Sequence, residues 1–297
     1  MKRIQYLYHY TNINALKGIL RSKTLWLTSC ENYTDVEAED RALKEVINYG
    51  LNNEQIFKEV IVGHLNIYAD LDEDNHEKII NEVVKLRKNT YMLCLSETKD
   101  NKHLWDNYAN KNDNGVILEL DRGYLPHMKT KAGYKNYTLT SSVNGKRSSE
   151  YRLVDMVYGR DKFIEAIQAY FKSSCPLVLP FYIDEYKDIQ YEAEKEKRLL
   201  VYVSDTGPKS RNSLSFKIDG KFENDDEETF NQRNIIYNET DNRFELKLTA
   251  ESYKSNYNFI DQTCAVRKVY CKSSEILKLL NKLKRSVNGD FMIEKIN

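Results

Sequence analysis

Between Tyr191 and Ser204 the chain reads YEAEKEKRLLVYVS, and two backbones compete for its first half. On an extended backbone side chains two apart share a face, so Glu192, Glu194, Glu196 and Arg198 line up ahead of the apolar run LLVYV. On a helix Glu192 would repel Glu196 one turn away, while Glu194 attracted Arg198. The apolar run predicts a strand, and the extended reading then gives that strand an acidic start. Crowded carboxylates repel, so at least one must hold its proton more tightly than usual or be met by a cation or hydrogen-bond donor.

Upstream, TYMLCLS (90–96) is apolar enough for the centre of a sheet, and GVILELD (115–121) predicts a further strand. Between them ETKDNKHLWDNYANKNDNG reads as a loop and a short helix through Leu104, Trp105 and Tyr108. Residues 3–10 predict a first strand; Asn12 or Asn14 caps a helix bearing Ile13, Leu16, Ile19 and Leu20, and TLWLTS is a second strand. Apolar positions from 36 to 88 recur at helical spacing, giving a helical insertion of about three helices broken near Gly50 and at DLDEDN. Strand signals are weak over 132–154, RDKFIEAIQAYFKSSC predicts a helix, and Pro180 interrupts PLVLPFYI (176–183). Residues 205–243 are polar and read as a mobile insertion. RFELKLT, AVRKVYC and DFMIEKI predict strands, and SSEILKLLNKLKRSV an amphipathic helix capped by Ser273 or Ser274.

The 297 residues suffice for one large α/β or α+β domain with insertions, and we expect a single domain over 1–297. Lysine plus arginine and aspartate plus glutamate both number 45, so no global field draws the chain to nucleic acid or to an anionic membrane. No apolar stretch approaches the roughly 20 residues of a spanning helix, and MKRIQYLYHY lacks a signal-peptide apolar core, so the expectation is a cytoplasmic protein without a membrane partner. Five scattered cysteines with no C-x-x-C pair argue against a disulfide framework and a zinc site, and no metal is expected. The 22 tyrosines against 10 phenylalanines suit polar grooves with aromatic walls, although codon bias gives the same count.

Dinucleotide-binding, P-loop and zinc-protease fingerprints are absent, as is the G-x-S-x-G elbow. Other residues are therefore candidates. His9 sits in the triplet His9-Tyr10-Thr11 at the end of the first strand, next to a helix start, where α/β proteins bind phosphates and riboses. A strand histidine satisfied by backbone fits the same pattern. Trp105 and Tyr108, three apart on one predicted helix face, suit core packing or stacking on a flat ring. Asp35, Glu37 and Glu39 add carboxylates, with nothing in their spacing to single one out.

Four pieces in order, LYHYTNINALKGILRSKTLWLTS, NYTDVE, LCLSETKDNKHLWDNYANKNDNGVILELD and YEAEKEKRLLV, resemble the DUF2971 family of bacterial proteins over about residues 5–203. Thr34-Asp35-Val36 departs from that family's Asn-Asp-Pro. The family in turn resembles ADP-ribosyltransferases, some of them toxins and antiphage defence effectors. The resemblance implies an α+β fold with an ADP-ribosyltransferase-like split β-sheet and NAD as substrate. It makes His9 the ribose-holding residue of the H-Y-T triplet and Glu196 the preferred catalytic glutamate, with Glu194 its rival. Trp105 and Tyr108 fill the aromatic role, and Arg198 holds a glutamate ionised or meets a diphosphate oxygen. The expected partner is a macromolecular acceptor, nucleic acid or protein, and a single strand could lie on KTKAGYKNY (129–137). A toxin reading adds a neutralising antitoxin. NAD hydrolysis and a catalytically silent nucleotide- or phage-component-binding module are the alternatives.

Such chemistry explains the residue types. Breaking the nicotinamide–ribose bond leaves an oxocarbenium-like sugar, and a carboxylate on its 2′-hydroxyl stabilises the developing charge. A second carboxylate two residues away can take the proton of the incoming nucleophile.

Overall fold

The sheet is organised around β3 (Thr90–Ser96), whose alternate residues are buried on both faces. A computed structural model of the chain describes residues 6–33, 36–65, 72–109, 113–121, 141–143, 147–173, 183–204, 235–238, 241, 243–248, 265–287 and 289–296. The fold is mixed α+β, with an 11-stranded mixed sheet and helices on its faces.

The first strand, β1 (Tyr6–Asn12), runs into α1 (Ile13–Ser22), capped by Asn12, whose Oδ1 accepts from the N–H groups of Asn14 and Ala15 at 3.0 Å. Lys23, left-handed at φ 56°, ends α1 and starts β2 (Thr24–Ser29). Three helices follow as the spacing predicts: α2 (Val36–Asn53), α3 (Gln55–Leu65) and α4 (His76–Arg87). The first break falls at Glu54 rather than Gly50, because Gly50 is needed inside α2, where a Cβ would lie 2.5 Å from the Phe57 ring. After β3 comes a helical turn, α5 (Lys102–Leu104), continuing as a π-turn over Trp105–Ala109, then β4 (Gly115–Asp121). The region of weak strand signals, 132–154, carries β5 (Ser141–Val143) and nearly all of β6 (Arg147–Asp155); β7 (Val157–Tyr158) and α6 (Arg160–Ser173) follow it. Then come β8 (Tyr186–Lys187), β9 (Glu196–Ser204), β10 (Ile235–Asn238), β11 (Arg243–Lys247) and β12 (Val266–Cys271). The chain closes with α7 (Ser274–Ser286), capped by Ser273, and β13 (Met292–Lys295).

The predicted polar insertion, 205–243, corrects at its end: Ile235–Asn238 is β10, antiparallel to β11, because Ile235, Ile236 and Tyr237 suit a pleated surface. Residues 205–234 lie outside the described residues, as do 129–137.

One edge of β3 pairs with β9 along its whole length, from Thr90 opposite Tyr202 to Ser96 opposite Glu196. The other edge is shared: β2 takes Tyr91 and Met92, and β1 takes Ser96. The sheet therefore forks there, β1 leading to β4, β12 and β13, and β2 leading to β11 and β10. On one face α1 and α7 cover Leu7, Leu93, Leu95, Leu118 and Leu199; on the other α2, α3, α4 and α6 cover Met92, Val154 and Leu200.

Candidate active site

In register across the sheet, Tyr8 lies opposite Ser96 and Ser96 opposite Glu196, so these three share a face, and Arg198 lies two further along β9. The extended reading holds for Glu196 and Arg198 but not for the residues before them. Ile189–Glu194 is a 3₁₀ turn capped by Asp188, whose Oδ1 accepts from the Gln190 N–H at 3.0 Å. Lys195, left-handed at φ 45°, ends it. Glu192 consequently sits at the surface beside Lys162 (3.1 Å). Glu194 turns inward, its backbone carbonyl held by Ser96 Oγ at 2.7 Å.

Inward, Glu194 and Glu196 meet one cation. Lys187 Nζ, on β8, lies 2.5 Å from Glu194 Oε2 and 2.6 Å from Glu196 Oε2. Arg198 Nε donates to Glu196 Oε1 at 2.9 Å, its Nη2 reaches Glu39 Oε1 at 2.6 Å, and its Nη1 donates to the Asp184 carbonyl at 3.2 Å. Arg87 from α4 completes the network through Glu39 (2.9 Å), Asp184 (2.8 Å) and Asp40. Arg198 is 1% exposed and Glu196 6%, so water supplies little screening and the pairing decides which groups stay charged.

The two glutamates separate. Burial raises the Glu196 pKa, but Arg198 and Lys187 overcome it and hold the carboxyl down to about 2. Burial also raises Glu194, and there Lys187 offsets it only in part, leaving the pKa above the usual carboxylate range. Glu196 is therefore the more firmly held anion and Glu194 the readier of the two to hold a proton. Their hydrogen bonds differ in the same sense. Both Glu196 oxygens are engaged, whereas Glu194 Oε1 is buried without a hydrogen-bond partner.

Beside this network lies a cleft of about 160 Å³ walled by Tyr108, Tyr186 and Tyr191, with Glu39 and Lys187 in its lining. Arg41, Glu45 and Asp188 complete its charged rim. Lys187 Nζ stands 5.1 Å over the Tyr191 ring, a cation–π contact that ties the network to the wall.

The remaining sequence candidates separate. His9 does not converge on Glu196. It follows Tyr8 on β1 and lies opposite Leu118, so strand alternation sends its ring to the α1/α7 face, away from both glutamates. Its Nδ1–H donates to the Cys94 carbonyl at 3.1 Å. That carbonyl lies at the fork, between the β2 and β1 pairings of β3, and the imidazole takes the place of the missing strand neighbour. Burial of the ring lowers its pKa, with the Cys94 contact opposing. We expect His9→Leu to cost on the order of 1–3 kcal/mol in urea denaturation by stranding this acceptor, with activity per folded molecule unchanged. Thr11, opposite Val116, shares the His9 face. Tyr10 lies on the Glu196 face, where its hydroxyl donates to the Thr98 carbonyl (2.8 Å) and accepts from the Asn101 N–H (3.3 Å). It thereby positions the loop ahead of α5.

Trp105 and Tyr108 do not share a face either. The i→i+5 winding of the π-turn separates residues that an α-helix would bring together. Trp105 is buried with Tyr10, Ile117 and Tyr270, under Lys272 at 4.9 Å, while Tyr108, 38% exposed, reaches the cleft.

Sequence reading missed Lys187, Asp184, Arg87 and His103, and left Glu39 undistinguished. His103 Nε2 lies 3.2 Å from Glu194 Oε1. Asn101 caps α5, accepting from the Leu104 N–H at 3.1 Å, and donates to the Ala193 carbonyl at 2.6 Å, which fixes α5 against the residue before Glu194. Among the described residues no group of three or more histidines, cysteines, aspartates and glutamates is arranged to hold a metal ion, and no helix is long and apolar enough to cross a membrane. No family model matches the chain, and no curated protein or solved structure matches it.

Proposed function

We propose that the chain is an NAD-dependent ADP-ribosyltransferase of the kind its DUF2971 resemblance implies, with a split-sheet fold of that class, acting on a macromolecular acceptor as a toxin or antiphage defence effector. The observation that carries this reading is the pair of buried carboxylates joined by Lys187, which itself lines a tyrosine-walled cleft; one carboxyl is held ionised and the other holds a proton more readily. Three carboxylates against two cations on the cleft wall, with three aromatic rings, suit the cationic nicotinamide ring. The volume is below the roughly 300–1,000 Å³ of ordinary ligand pockets, so it suits that ring with its ribose rather than the whole dinucleotide.

In this reading Glu194 replaces Glu196 as the reacting carboxylate, since Glu196 is occupied by Arg198 and Lys187. As the ribose–nicotinamide bond breaks, charge develops on the sugar and the Glu194 carboxylate stabilises it through the 2′-hydroxyl. The acceptor then bonds to the ribose carbon and its proton passes to Glu194. Glu196, itself held by Arg198, fixes Lys187, which bears on the charge of Glu194. His9 takes no part. Water as acceptor would make the same site an NAD hydrolase. The internal pairing of Glu196 and Arg198 favours the other alternative, a silent nucleotide- or phage-component-binding module.

Mass spectrometry of cellular RNA, DNA and protein after expression separates these. Adducts of one ADP-ribose unit that vanish with Glu194→Gln are the expected result. Free ADP-ribose alone assigns hydrolysis, and neither product with NAD binding retained assigns the module.

A further inference from the structure

We propose that His103 is a positioning residue for Glu194: Asn107 holds its ring in the tautomer with the proton on Nε2, which presents an N–H to Oε1 and sets the pH at which the carboxyl becomes charged. The relevance to catalysis rests on the reading of Glu194 above. The geometry is independent of it.

Glu194 is 2% exposed and its Oε2 is taken by Lys187, so Oε1 is the one oxygen with room for another donor. His103 supplies the only side chain that approaches it among the described contacts, with Nε2 at 3.2 Å but off the line of a good hydrogen bond. The tautomer follows from the other nitrogen. Asn107 Nδ2 lies 3.1 Å from His103 Nδ1 and also donates to the His103 backbone carbonyl at 2.9 Å, which orients its amide. An amide N–H facing Nδ1 requires Nδ1 to accept, so the proton of the neutral ring sits on Nε2, toward Glu194. Tyr191 packs edge-on against the ring at 6.2 Å. Asn107 lies one turn after His103, inside the π-turn, a rare conformation that recurs at functional sites.

The groups facing Glu194 come from every side: Lys187 on β8, Glu196 on β9, Tyr158 on β7 and His103 on α5. Lys187 and Glu196 largely answer each other's charge. His103, whose side chain is 49% exposed, is the member of the set that opens to solvent.

The test is a pH titration of the Glu194 side-chain carboxyl in the full-length chain by carbon-13 NMR, the resonance assigned by its loss in Glu194→Gln. His103→Leu removes the N–H and is expected to raise the midpoint by about one unit. His103→Gln, which can offer an amide N–H in its place, is expected to restore most of that shift. Asn107→Asp gives Nδ1 an acceptor for a second proton, so the ring can carry charge beside the carboxyl, and the midpoint is expected to fall. A midpoint unmoved in His103→Leu, or moved equally by Leu and Gln, overturns the proposal. Because the readout needs no activity, absence of NAD chemistry with these shifts present would defeat the function and leave this role of His103 standing.

Discussion

Glu194→Gln is expected to reduce ADP-ribose transfer by about 10²–10³-fold with no loss of thermal stability, the effect of removing one preorganised group from a transition state. The sign of the stability term follows from the raised pKa. A carboxyl whose folded pKa exceeds its unfolded one destabilises the folded chain once it is ionised at neutral pH, so a neutral amide relieves that cost. Glu196→Gln should behave oppositely. Its carboxyl is held near 2 when folded, so it stabilises the chain above its unfolded value, and that contribution is lost as pH falls toward 2. The amide variant should therefore melt at lower temperature at neutral pH and lose less on acidification than the parent. Differential scanning calorimetry across the acid range reads both signs. Equal melting of the two variants would defeat the division of roles between the glutamates.

Arg198→Met is expected to cost about 3–5 kcal/mol, the largest stability effect of any single change to the network. The guanidinium is 1% exposed and answers Glu196, Glu39 and the Asp184 carbonyl at once, so its loss leaves two buried carboxylates with Lys187 and Arg87 alone. Glu39→Gln in the same chain should recover part of the loss, because it removes one of the stranded charges. Urea denaturation of the single and double variants, taken as a cycle, measures the coupling. A single-variant cost below about 1 kcal/mol would mean the pair behaves like a surface ion pair.

What the sequence made legible was whatever has a period. The apolar spacing of 36–88 predicted three helices, and the run LCL within TYMLCLS placed β3 at the centre of the sheet. Alternation also put Glu196 and Arg198 on one face. It failed two residues earlier, because the positive φ of Lys195 belongs to a turn that no alternation of charge announces. It failed at His9 for a different reason. A strand end was readable, but the face depends on the register with β3 and β4, and one residue of offset reverses it. The partners of Glu196 were least legible. Glu39 and Arg198 are 159 positions apart, and nothing local to either marks the other. DLDEDN marked the break before α4, whereas Gly50 lies inside α2 and the π-turn that parts Trp105 from Tyr108 carries no such punctuation.

The fork at β3 has a consequence for assembly. Arg198 enters during synthesis only after β1, β2, α2 and β3 have been made, and until β9 docks, Glu39 of α2 has its pairing with Arg87 but not the one with Arg198. Long-range pairings of this kind form slowly, since the intervening chain must close before they repay its lost freedom. The charged centre thus waits for β9, and a nascent chain stopped short of that strand lacks Glu196 and Arg198 alike.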